Sequence, residues 1–361
     1  MLVASPRMGH VDILLGDLLE RLGIEYMVPP KSSERTLALG SKHAPEFSCL
    51  PLKINIGNFI EALENGADTL IMAGGRGPCR FGYYAEVEKR ILNEAGYEFE
   101  MVVVEPPSMG ISKFLGPIKE ASGKSSRKII KALKESFPKA QAYDMLEKYV
   151  LQNRCYEVIP GSTTKAYKQA MDVLSNIKST SEVEGYLREA ISVVDEVDKD
   201  PSRDVLKIGI IGEFFILLEP FANFDIEEWL GSRGVYLERS VYVTDWIGPA
   251  GENPVGGASP SEIVELAKPY LSHAVGGEGL QSVGHTIHYA RDGFDGVVHM
   301  FPFTCMPETI AKSILPRVAR DIHIPIIHFT IDEQTGKAGI ATRMEAFLDL
   351  LMSKKRARAG N

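Results

Sequence analysis

Short apolar stretches typical of β-strands alternate with amphipathic stretches typical of helices along the first third of the chain. The strand-like stretches are MLVASP, IEYMVP, DTLIMAGG and EFEMVVVEPP, and the stretches between them include HVDILLGDLLERLG and YYAEVEKRILNEAG. Because parallel strands need long crossover connections, usually helices, this alternation predicts a mainly parallel α/β sheet. The same rhythm returns in VLKIGIIGEFF, FDGVVHMFPF and IPIIHFTID, which predicts a second sheet.

A stretch with few strand signals separates the two α/β regions. It contains SSRKIIKALKESF, AYDMLEKYVLQN, TTKAYKQAMDVLSNI and SEVEGYLREAISVVDEVD, all with helical periodicity. We therefore predict an N-terminal α/β domain over 1–118, a helical segment over 119–203 and a C-terminal α/β domain over 204–361. The expected fold class is α/β, with two Rossmann-like or flavodoxin-like parallel-sheet domains joined by a helical segment.

Composition places the chain among globular proteins. Of its 361 residues, 44% are hydrophobic and 24% are charged, which is ordinary for a packed fold. No apolar run approaches the roughly 20 residues of a membrane helix, and the N-terminal sequence lacks a basic start followed by a sustained apolar core. We therefore expect a cytoplasmic protein with no membrane association. The net charge of −8 argues against broad binding to nucleic acid.

Two of the four cysteines share a local pattern. Cys49 and Cys305 each have a proline two residues later, at the start of a helix-like stretch that leads to a strand. Proline suits the first turn of a helix, so both cysteines are predicted at helix N-termini. The unpaired N–H groups and the positive end of the helix dipole at that position favour an anionic sulfur.

A third cysteine, Cys79, lies in the glycine-rich sequence GGRGPCRFG, directly after the strand-like TLIMA. Glycines allow a tight turn and a close approach of the backbone to a bulky group. Ligands of open α/β sheets bind beyond the carboxyl ends of the strands, and Cys305 follows the strand-like GVVHMFPF in the same way. We expect the three thiols to face a cleft between the two α/β domains.

Several kinds of site compete for these thiols. Zinc usually takes four ligands with paired spacing, which is absent here, and ferredoxin-type cysteine runs are absent too. A catalytic thiol with a histidine base is an alternative, because His285 and His288 lie on one predicted helix face, although core or surface histidines are the more common case. Neither GGRGPCRFG nor the second glycine-rich stretch, GGEGLQSVG, matches a full P-loop. A cluster held by three separated thiolates fits best.

Four stretches carry a resemblance to a known family: SCLPLKINIGN, AGGRGPCRFGYY, VVHMFPFTCMPE and TIDEQTGKAGIATRMEAFLDLL. They resemble the iron–sulfur proteins of the 2-hydroxyacyl-CoA dehydratase and benzoyl-CoA reductase superfamily. The similarity is to its branch of CoA protein activases, or 2-hydroxyglutaryl-CoA dehydratase D-component-like proteins. It covers both α/β domains, whereas the helical middle is less distinctive.

The resemblance implies a [4Fe-4S] cluster at the domain interface, with Cys49, Cys79 and Cys305 as its ligands. It further implies low-potential electrons from an ATP-dependent activator protein of the actin/Hsp70-like fold, used for ketyl-radical chemistry on an acyl-CoA or another small substrate. The chain would then be a 2-hydroxyacyl-CoA dehydratase (a lyase) or an ATP-dependent reductase component. Cys155, outside the matched stretches, is interpreted as a structural thiol.

Two other functions stay open on the sequence alone. The chain could be a non-catalytic electron-transfer or activator module that serves a partner enzyme, or a zinc-bound or metal-free α/β binding protein. Its oligomeric state, as a homo-oligomer or a hetero-oligomer, is likewise open.

Other polar residues have both a structural and a functional interpretation. Arg76 and Arg80 flank Cys79, where they could neutralise a reduced cluster or form ordinary loop ion pairs. Glu308 is expected to bond back to the helix start, as in a capping box. Asp332 and Glu333 are expected to fix a loop by hydrogen bonds, with acid–base chemistry as the alternative.

Overall fold

A computed structural model describes residues 1–75, 77–248, 255 and 257–359. Contacts divide the chain into two compact units. One contains Met1–Gln141 and the described part of Val243–Glu252, and the other contains Ala142–Tyr242 and the described part of Asn253–Asn361. The described residues form two four-stranded, all-parallel sheets, one in each unit, so the predicted pair of parallel-sheet α/β regions is confirmed.

The first unit is a sheet with helices on both faces. Its elements are β1 (Leu2–Ala4), α1 (Val11–Leu22), β2 (Glu25–Met27), α2 (Glu34–His43), α3 (Leu50–Glu64), β3 (Thr69–Ala73), α4 (Tyr84–Glu94), β4 (Glu100–Val104), α5 (Ile111–Ser122), the first part of α6 (Ser126–Asn153) and α12 (Val243–Ile247). The strand order is β2-β1-β3-β4. Alternate residues of β3 face opposite cores: Leu70 and Met72 pack with α3 and α4, whereas Ile71 packs against the core formed with α1, α5 and α6.

The crossing of α2 and α3 is unusually close. A Cβ atom at Gly40 would lie 1.6 Å from the Lys53 carbonyl oxygen, and one at Gly57 would lie 1.9 Å from the Thr36 carbonyl oxygen. Glycine at both positions is therefore required for the two backbones to meet. The contact helps to bury α3 on every side, from Leu50 to Ala62, and so fixes the helix that begins after Cys49.

The second unit repeats this sheet topology. Its elements are the last part of α6, α7 (Ser162–Ser175), α8 (Val183–Asp195), β5 (Leu206–Gly212), α9 (Phe214–Leu218), α10 (Pro220–Asn223), α11 (Ile226–Gly231), β6 (Val235–Arg239), α13 (Pro260–Ala267), α14 (Gly279–Arg291), β7 (Gly296–Pro302), α15 (Met306–Ile322), β8 (Ile326–Ile331) and α16 (Lys337–Ala359). The order β6-β5-β7-β8 corresponds strand for strand to the first sheet. Every residue of the inner strand β7 is buried.

Both orders are those of a doubly wound α/β sheet of the flavodoxin-like kind. In that topology the order reverses between the first and third strands, and ligands bind in the crevice outside the carboxyl ends of those strands. In this chain, the residues at that crevice position are those that follow β1 and β3 in the first unit, and β5 and β7 in the second. Among the described residues, no helix is long and apolar enough to cross a membrane.

Candidate functional site

Cys49 caps the N-terminus of α3, as its spacing to Pro51 predicts. Its backbone is extended (φ −70°, ψ 152°), Pro51 lies in the first helical turn, and the side chain is buried. The Cys49 Sγ lies 2.5 Å from the Tyr84 hydroxyl oxygen, at the start of α4. The thiol therefore lies at a helix N-terminus with a hydroxyl group on its sulfur, an environment that suits a thiolate.

Cys79 lies in the loop that follows β3, where the glycines provide close approaches. A Cβ atom at Gly74 would lie 2.4 Å from the Glu105 carboxylate, and one at Gly75 would lie 3.1 Å from the Gly82 Cα. Cys79 itself precedes a short 3₁₀ turn over Arg80–Tyr83 and is partly exposed. Arg76, which the sequence analysis considered together with Cys79, lies outside the described residues.

The segments that carry Cys49 and Cys79 are in contact. Cys49 contacts Tyr84, and Arg80 Nη1 donates a hydrogen bond of 3.1 Å to the Phe47 carbonyl oxygen. The structure therefore brings these two cysteine loops together at the carboxyl edge of the first sheet. Arg80 helps to hold the two loops together through this hydrogen bond to a backbone carbonyl oxygen.

Cys305 lies just beyond the inner strand of the second sheet. It caps the N-terminus of α15, with Pro307 in the first helical turn, and the side chain is buried. Thr304, the residue before it, has a φ of 68°, a conformation that non-glycine residues adopt at a cost in free energy. The predicted placement at a strand end and a helix start is confirmed.

The two Cys-x-Pro helices are not at equivalent places in their sheets. α3 precedes the inner strand β3, whereas α15 follows the inner strand β7. By topology, Cys305 therefore corresponds to Cys79, since each follows the inner strand. The N-cap of α14, the counterpart of Cys49, is Glu278.

The donor chemistry around these cysteines fits an iron–sulfur cluster in kind. Two buried sulfurs lie at helix N-termini, and the third lies in a glycine loop with little side-chain bulk. Within the described part of the chain, no group of three or more His, Cys, Asp or Glu residues is arranged to hold a metal ion. The cluster and its ligand set therefore stay proposals.

Glu308 does not close a capping box, contrary to the sequence prediction. Cys305, at the N-cap, makes no side-chain capping hydrogen bond, and the Glu308 side chain points into the unit. Its Oε2 accepts a hydrogen bond from Ser282 Oγ at 2.9 Å and lies 2.8 Å from His299 Nε2. A thiol is a poor partner for a capping box, which needs a serine or threonine hydroxyl, so the carboxylate is available to side chains that approach from β7 and α14.

His299 and His328 extend this contact into a hydrogen-bonded chain. They are register partners on β7 and β8, and their Nδ1 atoms lie 2.9 Å apart. Glu308 and His299 are fully buried, whereas His328 is partly exposed. Burial raises the pKa of Glu308 to about 8 and lowers that of His299 to about 3, and burial together with His299 lowers that of His328 to about 4.

A second carboxyl group lies at the same edge of the sheet. Glu213 follows β5 directly, and its Oε2 accepts a hydrogen bond of 3.0 Å from the Ile216 N–H. Burial raises its pKa to about 8, with further increases from the charges of Glu308 and Glu278. The crevice position of the second sheet is therefore surrounded by acidic side chains.

Sequence reasoning missed His299, His328 and Glu213, although each leaves a signal. The two histidines are isolated polar residues within the apolar strand stretches GVVHMFP and IIHFTI, and Glu213 directly follows the apolar GIIG. A polar residue in a strand that reads as fully buried needs a hydrogen-bond partner, and each of the two histidines has the other, on the neighbouring strand, as one partner.

The other candidate residues, His285, His288 and Cys155, have surroundings typical of residues with a structural role. His285 and His288 pack against Tyr289, with ring centroids 5.7 and 5.8 Å from it, and His288 Nε2 lies 3.4 Å from Asp292. Cys155 is fully buried, and burial raises its pKa to about 12, as expected of a neutral structural thiol.

The predicted loop-fixing role of Asp332 is confirmed. Its Oδ1 accepts hydrogen bonds from the Gln334 N–H at 3.0 Å and from Thr335 Oγ1 at 2.8 Å. The glycines before α14 form a turn, with φ values of 84° at Gly276 and 46° at Gly277. A Cβ atom at Gly279 would lie 2.4 Å from the Pro307 carbonyl oxygen, so the start of α14 packs closely on the start of α15.

Comparison with known proteins identifies no family for this chain. No family model matches it, and no curated protein matches it significantly.

Proposed function

We propose that this chain is an iron–sulfur protein in which Cys49, Cys79 and Cys305 hold one [4Fe-4S] cluster. In this proposal the cluster accepts low-potential electrons from an ATP-dependent activator protein of the actin/Hsp70-like fold. When bound, it would supply electrons for reductive chemistry on an acyl-CoA or another small substrate.

The observation that carries the proposal is the placement of the three sulfurs at carboxyl edges of parallel sheets. Cys49 and Cys305 cap helices that begin with a proline in their first turn, and Cys79 lies in a glycine loop directly after β3. Metal-free core thiols need neither a helix N-terminus nor a glycine loop. The stretches that carry the family resemblance contain all three cysteines.

The chain's own groups would stabilise the negative charge of such a site. Each thiolate at a helix N-terminus interacts with unpaired backbone N–H groups and with the positive end of the helix dipole. The Tyr84 hydroxyl can donate a hydrogen bond to the Cys49 sulfur, and hydrogen bonds to ligand sulfurs raise the reduction potential of iron–sulfur sites. A Tyr84→Phe variant would test this tuning by a lowered potential.

The primary experiment is iron and acid-labile sulfide analysis of anaerobically purified protein and of four single variants. We expect equal amounts of iron and sulfide, in the stoichiometry of one cubane per chain. Serine substitution at Cys49, Cys79 or Cys305 should lower the cluster content, since a serine hydroxyl is a poor ligand for iron.

The matched control is Cys155→Ser. Cys155 is fully buried and its Sγ lies 3.4 Å from the Gln152 carbonyl oxygen, so a hydroxyl can take the same contact and the cluster should persist. Stoichiometric zinc without sulfide would refute the proposal, and equal loss in all four variants would refute the ligand assignment.

A turnover assay distinguishes a catalyst from an electron carrier. Purified chain, activator protein, ATP, a reductant and an acyl-CoA substrate are combined without any further subunit. Product formation would identify the chain as the dehydratase or reductase component. Cluster reduction without product would instead identify it as an electron-transfer module for a partner enzyme.

A further inference from the structure

The second unit contains a chain of three titratable side chains that runs from the partly exposed edge strand β8 to a fully buried carboxyl group. His328 Nδ1 lies 2.9 Å from His299 Nδ1, and His299 Nε2 lies 2.8 Å from Glu308 Oε2. Both distances are those of hydrogen bonds. All three residues belong to the second unit, at the carboxyl half of its sheet and the first turn of α15.

The hydrogen bonds define the position of each proton. When Glu308 is ionised, its Oε2 accepts hydrogen bonds from Ser282 Oγ and from the Nε2–H of His299. A neutral His299 then has a lone pair on Nδ1, which accepts the Nδ1–H of His328. The free acceptor at the outer end is therefore His328 Nε2, on a side chain that solvent reaches.

The other oxygen of Glu308 has a different environment. Among the residues that the structure describes, Oε1 has no hydrogen-bond partner and is buried from solvent. An ionised carboxylate in that position would leave a charged oxygen without any donor, at a large cost in free energy. Protonation removes that charge, and the acid O–H on Oε2 then donates to His299 Nε2, which lies 2.8 Å away.

We propose that Glu308 is a proton-storage site at the carboxyl edge of the second sheet, loaded from solvent through His328 and His299. A proton from water binds His328 Nε2, the Nδ1 proton of His328 moves to His299 Nδ1, and the Nε2 proton of His299 moves to Glu308 Oε2. One proton enters and one reaches Glu308, and no atom changes its oxidation state. Rotation of the imidazole rings resets their tautomers.

The surrounding charges favour neutral groups along this chain. Lys312 lies near both histidines and Arg343 near His328, and both cations oppose a stable imidazolium, so the rings pass protons without retaining them. The charges of Glu308 and Glu278 act on Glu213 and raise the pKa of that neighbouring carboxyl group. Burial of Glu308 and His299 acts in the same direction.

Glu308 lies on the first helical turn after Cys305, so the stored proton is held beside a proposed electron-accepting site. Reduction of an organic substrate consumes protons together with electrons, and a buried acid can supply them where water is excluded. This use of the proton rests on the proposed function, whereas its storage and loading do not.

The test is infrared spectroscopy of the purified chain without cluster, followed after transfer from H₂O to D₂O. Near neutral pH, wild-type protein should show the carbonyl stretch of protonated carboxylic acids, and Glu308→Gln should remove one component. Glu88→Gln is the matched control, because Glu88 is a second fully buried acid with a pKa of about 8 that accepts a hydrogen bond from Asn55. It should remove a different component.

The rate of hydrogen–deuterium exchange tests the pathway. In His328→Gln, whose amide can still donate to His299 but cannot pass protons, the Glu308 component should shift on the order of 100-fold more slowly, and the Glu88 component should shift at its wild-type rate. An unchanged spectrum in Glu308→Gln would overturn protonated storage, and an unchanged exchange rate in His328→Gln would overturn the histidine pathway.

Two comparisons show whether each proposal fails on its own. If Glu308→Gln does not fold, the exchange comparison between wild type and His328→Gln still decides, because His328 lies on an edge strand and is partly exposed. Cys305→Ser should leave the Glu308 component unchanged even where it removes the cluster. Failure of the proposed function and failure of the proton-storage site therefore give different results.

Discussion

Neutralisation of Glu88, a buried acid in the first unit, should change how the stability of the chain depends on pH. Glu88 lies on α4 with no exposed surface, and its Oε1 accepts a hydrogen bond of 3.3 Å from Asn55 Nδ2. Burial raises the pKa of Glu88 from its ordinary 4.5 to about 8. The substitution Glu88→Gln replaces the acid with a neutral group of nearly the same shape.

The sign of the effect follows from where the proton binds more tightly. Below the unfolded pKa, near 4.5, Glu88 is protonated in both states and its ionisation does not affect stability. As the pH rises from there to about 8, the unfolded chain ionises and the folded chain does not, so the free energy of unfolding falls by about 1.4 kcal/mol for each pH unit. Above that range the full loss, ~5 kcal/mol, is present.

The assay is chemical denaturation of wild type and Glu88→Gln from about pH 4 to about pH 9, followed by circular dichroism. The difference in unfolding free energy between the two proteins should grow in favour of the variant by several kcal/mol across this range. Other buried acids cancel in the difference. Glu86→Gln, an exposed carboxylate on the same helix, is the control and should parallel wild type. Parallel curves for Glu88→Gln as well would refute the argument that Glu88 is buried as a neutral acid.

Two further substitutions test the packing of each unit. Gly57→Ala places a Cβ atom 1.9 Å from the Thr36 carbonyl oxygen and should lower the free energy of unfolding of the first unit by about 1–3 kcal/mol, measured by denaturation. Gly185→Ala is the control, because a Cβ atom there meets open space, whereas Gly66 is unsuitable because of its positive φ. Arg239→Met leaves the Glu147 and Glu227 carboxylates without the buried cation that bonds both, at 2.5 and 2.9 Å, and should cost about 3–5 kcal/mol. A melting temperature equal to that of wild type would contradict either expectation.

The elements of the fold were predictable because each has a strong local signal. TLIMA is β3 from its first residue to its last, and the Cys-x-Pro patterns mark the starts of α3 and α15. The strand order was harder to predict from the sequence, because it depends on which apolar strands pair across long crossovers. The division of α6 between the two units likewise has no signal within its continuous helical pattern.

The chemistry of Glu308 shows where local reasoning fails. Its position in the first turn of α15 suggests a cap, yet its partners are Ser282 on α14 and His299 on β7. These contacts exist only after the strands have paired and α14 has packed on α15. A sequence pattern that spans one helical turn cannot contain that information.

The Cys-x-Pro pattern shared by Cys49 and Cys305 likewise does not mark equivalent positions in the two sheets. Proline two residues after a helix-capping residue is a local requirement for starting a helix, and it can occur before or after the inner strand of a sheet. Topology instead makes Cys79 the counterpart of Cys305, and it makes Glu278 the counterpart of Cys49. Two similar sheet edges therefore carry three thiols and one carboxylate in corresponding places. The proposed cluster would use the three thiols, and Glu278 is one of the carboxylates whose charge raises the pKa of Glu213.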